Sequence, residues 1–277
     1  MVEPDSAGTL SRRRLLAATG AGAVGAFAGC TAPGLSTRVE ESFEVTPSDA
    51  TAVRVLNRNG GVTVRPGESD AVRVEVVKRG LNVDEGALDR VTVNRSVTDG
   101  VLTLEVVYPP EVTRITTDLT VELPSSLSLA LAETGNGGVD AEGVAGDATL
   151  RASNGAVSAE GMPGFLTLRA GNGGIRAADV GGIDGVTAGN GGVDVEIPAI
   201  RGDTSVSASN GGIDAAVAPD LDAAFEARVT NGGVDVSGLE LTNATVSPTR
   251  VAGTLGDGGP SLTLRAGNGG VDVRRLD

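Results

Sequence analysis

The 277-residue sequence contains no histidine, no tryptophan, one tyrosine (Tyr108), one cysteine (Cys30) and one lysine (Lys78). Without histidine the chain lacks the side chain that most often serves as a general acid–base group or metal ligand. A single cysteine cannot close an internal disulfide, so stability outside the cell must come from packing and hydrogen bonding. Aromatic residues make up 2% of the chain, which leaves a sugar-cleaving site short of stacking platforms. It also leaves Val, Leu, Ile and Ala to build the core, and small aliphatic side chains fill narrow, repetitive interiors well. Positive charge is scarce, with 22 Lys+Arg against 36 Asp+Glu for a net charge of −14. Nucleic acid requires a Lys/Arg surface for its phosphates, so no nucleic-acid partner is expected.

The length suits one or two domains with a real core. Arginine carries almost all of the positive charge. Abundant carboxylates with a single lysine match the surfaces of proteins that work in multimolar salt, where self-repulsion is screened within a few ångström. An ordinary acidic protein is the alternative reading.

Residues 11–16 read Ser-Arg-Arg-Arg-Leu-Leu, and an Ala/Gly-rich apolar run follows, ending in Ala28-Gly29-Cys30. A basic start followed by so short and glycine-rich a run is a signal peptide rather than a spanning helix. Arg12 and Arg13 before Leu15-Leu16 resemble a haloarchaeal twin-arginine export signal, the route for chains that fold before crossing. Ala-Gly-Cys resembles a lipoprotein cleavage box, in which Cys30 becomes the lipidated N-terminus; a plain cleaved signal with an incidental cysteine is the alternative. Residues 1–29 are therefore expected to be signal, and residues 30–38, small and polar at their start, a flexible tether.

The strongest signal is a repeat. Asn-Gly recurs at Asn136, Asn154, Asn172, Asn190, Asn210, Asn231 and Asn268, with steps of 18, 18, 18, 20, 21 and 37 residues. A fixed short period marks stacked architectures. After each Asn-Gly comes a short alternating strand such as Val193-Asp194-Val195, then a Gly- or Pro-containing corner, then a second alternating strand such as Leu166-Thr167-Leu168-Arg169-Ala170. Alternation places one set of side chains inside. On one wall these are Val139, Val157, Ile175, Val193, Ile213, Val234 and Val271; on the other, Leu150, Leu168, Val206, Val229 and Leu264. A hairpin meander would place Asn-Gly between every pair of strands, whereas here it appears once per two strands. The expected fold class is all-β: a parallel β-solenoid (β-helix) of roughly 18–21-residue rungs over residues 132–277, preceded by a β-rich N-terminal capping region over 39–131. The Leu239–Pro260 stretch breaks the pattern and is expected to replace or decorate one rung. Arg274, Arg275 and Asp277 are expected to charge the last rung and discourage end-to-end stacking.

Residues 39–131 hold longer alternating strands at 52–56, 61–65, 71–78, 90–95, 101–107 and 118–123. Asn59-Gly60-Gly61-Val62 matches the repeat motif, so the stack is read as able to begin there with a long excursion inserted afterwards. This arrangement resembles the putative-adhesin family of β-strand-repeat proteins over roughly residues 45–277. The resemblance implies a secreted or surface-held β-solenoid and assigns no binding residues.

Three chemistries compete. Gly-Gly-x-Asp is similar to the calcium-binding β-roll repeat, but Ser158 and Arg176 replace the Asp in two consecutive repeats and the second corner lacks the motif. Asp140, Asp194, Asp214, Asp235 and Asp272 then read as a solvated outward row, and no metal or cofactor is expected. A glycan-active β-helix enzyme would need convergent carboxylates, and no unique cluster is evident. Asn94-Arg95-Ser96 and Asn243-Ala244-Thr245 are N-glycosylation triplets in an exported chain. The reading is a non-catalytic, lipid-anchored, structural or adhesin-like module on the outer face of the cell membrane, with the membrane and an envelope or neighbouring-cell ligand as partners. A glycan-active enzyme and a calcium-stabilised surface protein remain alternatives.

Overall fold

The computed structural model describes residues 36–46, 49–112 and 114–277. These residues form an all-β structure of two facing sheets with mostly parallel pairing and one short helix. The first part of the chain contributes β1 (Ser36–Val45), β2 (Ala52–Asn59), β3 (Val62–Pro66), β4 (Val72–Leu81), α1 (Glu85–Asp89), β5 (Thr92–Thr98), β6 (Val101–Val107) and β7 (Ile115–Leu123). The repeats contribute strand pairs joined through Asn-Gly: β8 (Ser128–Asn136) with β9 (Val139–Glu142), β10 (Ala148–Asn154) with β11 (Val157–Glu160), and β12 (Phe165–Asn172) with β13 (Ile175–Ala178). Next come β14 (Gly182–Asn190) with β15 (Val193–Ile197), β16 (Thr204–Asn210) with β17 (Ile213–Val217), and β18 (Ala223–Asn231) with β19 (Val234–Val236). A hairpin, β20 (Leu241–Ser247) and β21 (Arg250–Leu255), precedes the last pair, β22 (Ser261–Asn268) with β23 (Val271–Arg275).

Each repeat places its longer strand in a 12-stranded sheet and its shorter strand in an 11-stranded one. Asn-Gly therefore passes the chain from one sheet to the other and closes no hairpin. Neither sheet closes on itself. Pairing is in register, so equivalent residues of successive repeats lie side by side: Val157 opposite both Val139 and Ile175, and Leu150 opposite Leu168. These aliphatic columns face each other between the sheets and are almost entirely buried. Val229, expected in the Leu150 column, is offset: Ala227 pairs with Leu264, and Val229 pairs with Ala266 two residues before the corner. It lies half-buried, whereas the residue two before the Asn, an Ala in most of the other repeats, is buried there.

Spatial order departs from chain order at both ends. Asn59 pairs with Asn136, so β2 and β3 belong to the same stack as the repeats. The chain then runs outward through β4, α1 and β5 and returns as β6 and β7, which lie on the far side of β2 and β3. At the other end β18 and β19 leave a gap, the hairpin β20–β21 extends the 12-stranded sheet, and β22 and β23 fill the gap. The order of corners is thus 210, 268, 231. This corrects the expectation for Arg274 and Arg275: β23 is flanked by β17 and β19, and its charges guard no free end. Two further local features escape the sequence reading. β1 starts at Ser36, inside the stretch taken as tether. Helix α1 forms where Asp84 caps the Ala87 N–H at 2.7 Å and Leu88 enters the core.

The register is enforced where the backbones come closest. The first glycine after each Asn sits under the same glycine of the next repeat. A Cβ on Gly155 would stand 1.9 Å from the Gly137 carbonyl oxygen, and one on Gly191 would stand 2.2 Å from that of Gly173, with φ of +157° and +155°. The second glycine has room, and Ala156 occupies that position in one repeat. Gly191→Ala is therefore expected to destabilise the fold by about 3 kcal/mol or more. Gly192→Ala, whose Cβ would meet nothing nearer than 3.7 Å, is expected to stay within about 1 kcal/mol, both read by chemical denaturation. Equal losses would contradict the close-approach account.

Candidate functional site

Cys30, Arg12 and Arg13 lie outside the described residues. The site that can be built is the surface of the stack: one corner row, the opposite corner row, and two outward sheet faces.

At the Asn-Gly corners the register turns seven asparagines into one row. Asn154 Nδ2 donates to Asn136 Oδ1 at 2.9 Å, Asn172 to Asn154 at 2.7 Å and Asn190 to Asn172 at 2.7 Å. Asn210 donates to Asn190, Asn268 to Asn210 and Asn231 to Asn268, each at 2.8 Å. Every amide donates in the same direction, so the row is polar along the stack. Backbone bonds run beside it, as in Gly155 N–H to Asn172 O at 2.9 Å. At its start the row meets a buried polar knot. Asn57 Nδ2 donates to Thr117 O at 2.7 Å, Tyr108 Oη donates to Asn59 O at 2.6 Å, and Thr134 Oγ1 donates to Gly60 O at 2.7 Å. Burial raises the Tyr108 hydroxyl above its ordinary pKa.

The opposite corners are held by carboxylates. Asp147 accepts the Phe165 N–H at 2.9 Å and Asp203 accepts the Ser261 N–H at 2.8 Å, each fixing the start of the neighbouring strand. Arg201 ties three repeats together: it pairs with Asp184 through Nε at 2.8 Å and with Asp147 through Nη1 at 2.5 Å, and its guanidinium lies 4.5 Å from the centre of the Phe165 ring. The hydrogen bonds from the Phe165 N–H and then from Arg201 hold Asp147 below its usual pKa, and Asp184 followed by Asp147 raises Arg201 further above its own.

The outward faces differ in charge. On the 11-stranded sheet, Asp194, Asp214, Asp272 and Asp235 occupy neighbouring strands in register, all exposed, with Arg176 pairing to Asp194 at 3.0 Å at one end of the row. Among the described residues no group of three or more His, Cys, Asp or Glu side chains is arranged to hold a metal ion. On the 12-stranded sheet, Arg265, Arg228 and Arg250 align on three neighbouring strands, and Glu226, bonded to Arg250 at 2.7 Å, is held below its ordinary pKa. Between Arg169 and Arg265 that face is flat, built from Thr187 and Ser207.

Where β1 and β5 diverge, a cleft of about 260 Å3 opens between the sheets, lined by Glu41, Phe43, Lys78, Asp89, Val93 and Arg95 among others. Lys78 continues the inward series Val72, Val74, Val76; its side chain is 2% exposed and pairs with Glu41 at 2.6 Å. Sequence reasoning noted Lys78 only as the sole lysine, although its place in the alternation of β4 puts it inside. Arg95 stacks on Phe43 at 4.6 Å across the mouth. Asn94 lies exposed on β5 and Asn243 exposed on β20, far apart at opposite ends of the 12-stranded sheet.

No family model matches the chain, and no curated protein matches it. Among solved structures, a putative cell adhesion protein from Clostridium sporogenes aligns at 13% identity over 87% of this chain and 100% of that one, with a TM-score of 0.40. A putative adhesin from Bacteroides fragilis aligns at 10% identity over 87% and 97%, TM-score 0.39. A putative lipid binding protein from Parabacteroides distasonis aligns at 15% identity over 84% and 96%, TM-score 0.39.

The Arg201 staple has a pH signature. A carboxylate whose pKa is depressed on folding stabilises the fold above its unfolded pKa, and that contribution disappears as pH falls through the folded value. Arg201→Ala is expected to unfold at lower denaturant than wild type near neutral pH. The gap should narrow as pH falls below the ordinary carboxylate range and Asp147, held low in the folded wild type, takes up its proton. A gap that stays constant to about pH 2 would contradict the charge-based role.

Proposed function

We propose that this chain is a lipid-anchored cell-surface module, a non-catalytic β-solenoid that acts through its flat faces as a structural or adhesive element. The observation that carries the reading is the in-register stack itself, which repeats one exposed side chain per strand at about 4.8 Å steps over two flat, oppositely charged faces. Such a surface suits many weak, equivalent contacts, whose combined strength comes from avidity rather than from one pocket. At the Lys78 cleft the Lys78–Glu41 ion pair joins β4 to β1.

The export and lipidation motifs before residue 31 supply the location. Acyl groups on Cys30 would hold the chain at the outer face of the membrane, since two chains anchor stably where one is marginal. The acidic row fits a salt-rich exterior. At about 1 M salt the screening length is about 3 Å, shorter than the step between successive aspartates but comparable to the contact distance of the Arg176–Asp194 pair. Repulsion along the row is then screened while the ion pair persists. No cofactor is assigned, and the partner is an envelope component or a neighbouring cell.

Membrane fractionation of Cys30→Ser against wild type tests the anchor, with mass spectrometry of the N-terminus. The variant is expected in the soluble fraction and the wild type in the membrane with a lipid-modified Cys30. Equal retention of both in the membrane would refute the anchor.

A further inference from the structure

We propose that Asn94 and Asn243 carry N-linked glycans that cap the two free edges of the 12-stranded sheet. β5 and β20 are its outermost strands, at opposite ends. A free edge offers unpaired backbone donors and acceptors to any other chain, and folded proteins protect such edges with charge, proline, shortness or a cover. The 11-stranded sheet uses these devices. β1 carries Arg38, Glu40, Glu41 and Glu44, while β19 has three residues and its Val234 N–H is taken by Pro248 O at 3.0 Å.

The 12-stranded sheet does not use them. β20 reads Leu-Thr-Asn-Ala-Thr-Val-Ser, without charge or proline. β5 reads Thr-Val-Asn-Arg-Ser-Val-Thr, and its one charge, Arg95, is engaged with Phe43. Both are windows of high β-propensity and low charge, the kind that pair between molecules. Each also exposes a large apolar side chain, Val97 at 46% and Val246 at 73%.

In both strands the valine directly follows the acceptor triplet: Asn94-Arg95-Ser96-Val97 and Asn243-Ala244-Thr245-Val246. A bulky hydrophilic glycan on either asparagine would sit on the edge strand itself and hinder the approach of another chain. On β5, Asn94 and Val97 project to opposite faces, so there the glycan covers the strand and not the valine. Both acceptors are accessible. Asn94 is exposed opposite Glu105 on β6, and Asn243 lies at the irregularity where the β20–β21 register shifts, with φ of +51°.

The inference rests on the reading of the chain as exported, because this triplet is modified on exported chains. The full chain, expressed with its leader in a haloarchaeal host, is recovered and its intact mass and N-terminus measured. A processed chain heavier than its polypeptide by two increments beyond the lipid on Cys30 is expected; Ser96→Ala should remove one and Thr245→Ala the other, with both asparagines kept. The double variant should form concentration-dependent oligomers by light scattering where wild type does not, and adding Val97→Lys and Val246→Lys should restore the wild-type size. A processed chain with no increment beyond the lipid on Cys30 would overturn the proposal while leaving export intact, whereas an unprocessed chain of bare mass would overturn both. A double variant that has lost both increments yet keeps the wild-type size would overturn the capping role.

Discussion

The structure depends on one close approach: at every Asn-Gly corner a glycine carbonyl occupies the space where the Cβ of the next repeat's glycine would be. Only glycine permits this, and the contact leaves little freedom to slide one repeat past another. Once the corners are locked, alternation does the rest. Valine stacks on valine inside, and asparagine bonds to asparagine at the corner. Aspartate lies beside aspartate outside. The asparagine row adds exposed hydrogen bonds, each of modest net worth, but all point the same way and so reinforce the register that the glycines impose.

The interleaved ends follow from the same sameness. A slot in the stack accepts any strand pair with the repeat's pattern, so the chain can leave a slot open and fill it later. It does so twice, with β6 and β7 beyond β2 and β3, and with β22 and β23 between β17 and β19 and between β16 and β18. The second case makes the last segment in sequence an internal support: β18 and β19 have no parallel partner until β22 and β23 arrive. Closure of that end therefore depends on contacts between distant parts of the chain, a topology that slows folding. A chain that folds before crossing the membrane would complete this step first.

Much of this was legible in the residues. The period, the inward columns and the corner asparagines are all written in Asn-Gly-Gly-Val-Asp and its spacing, because the side chain that must fit a tight corner and the one that must face the core leave few alternatives. The membership of Asn59 was legible for the same reason. Spatial order was not, since equivalent repeats carry no mark of which neighbour they adopt. Val229 was misplaced by matching residue type where distance from the corner, two residues before Asn231, decides the column. α1 was missed because five residues show no helical period. Lys78 was hidden by its type, since a lysine is expected in water, while its place after Val72, Val74 and Val76 sends it inward to Glu41. The carboxylate clasps at Asp147 and Asp203 join residues 18 and 58 apart, and only the register brings them together.

The proposed surface role draws on these facts in order: register gives flat faces, flat faces give repeated identical groups, and repeated groups favour multivalent contact. All of it fails if the strands are not stacked as described. The most direct measurement is disulfide formation between outward positions of the 11-stranded sheet in a Cys30→Ser background. Asp214→Cys with Asp272→Cys places the thiols on paired strands, at a spacing of about 4.8 Å that a disulfide spans. Asp214→Cys with Asp235→Cys places them two strands apart, at about twice that distance and out of reach. Rapid cross-linking of the first pair and none of the second is the predicted result; cross-linking of the second pair in preference would show that the repeats stack in chain order and would contradict the account.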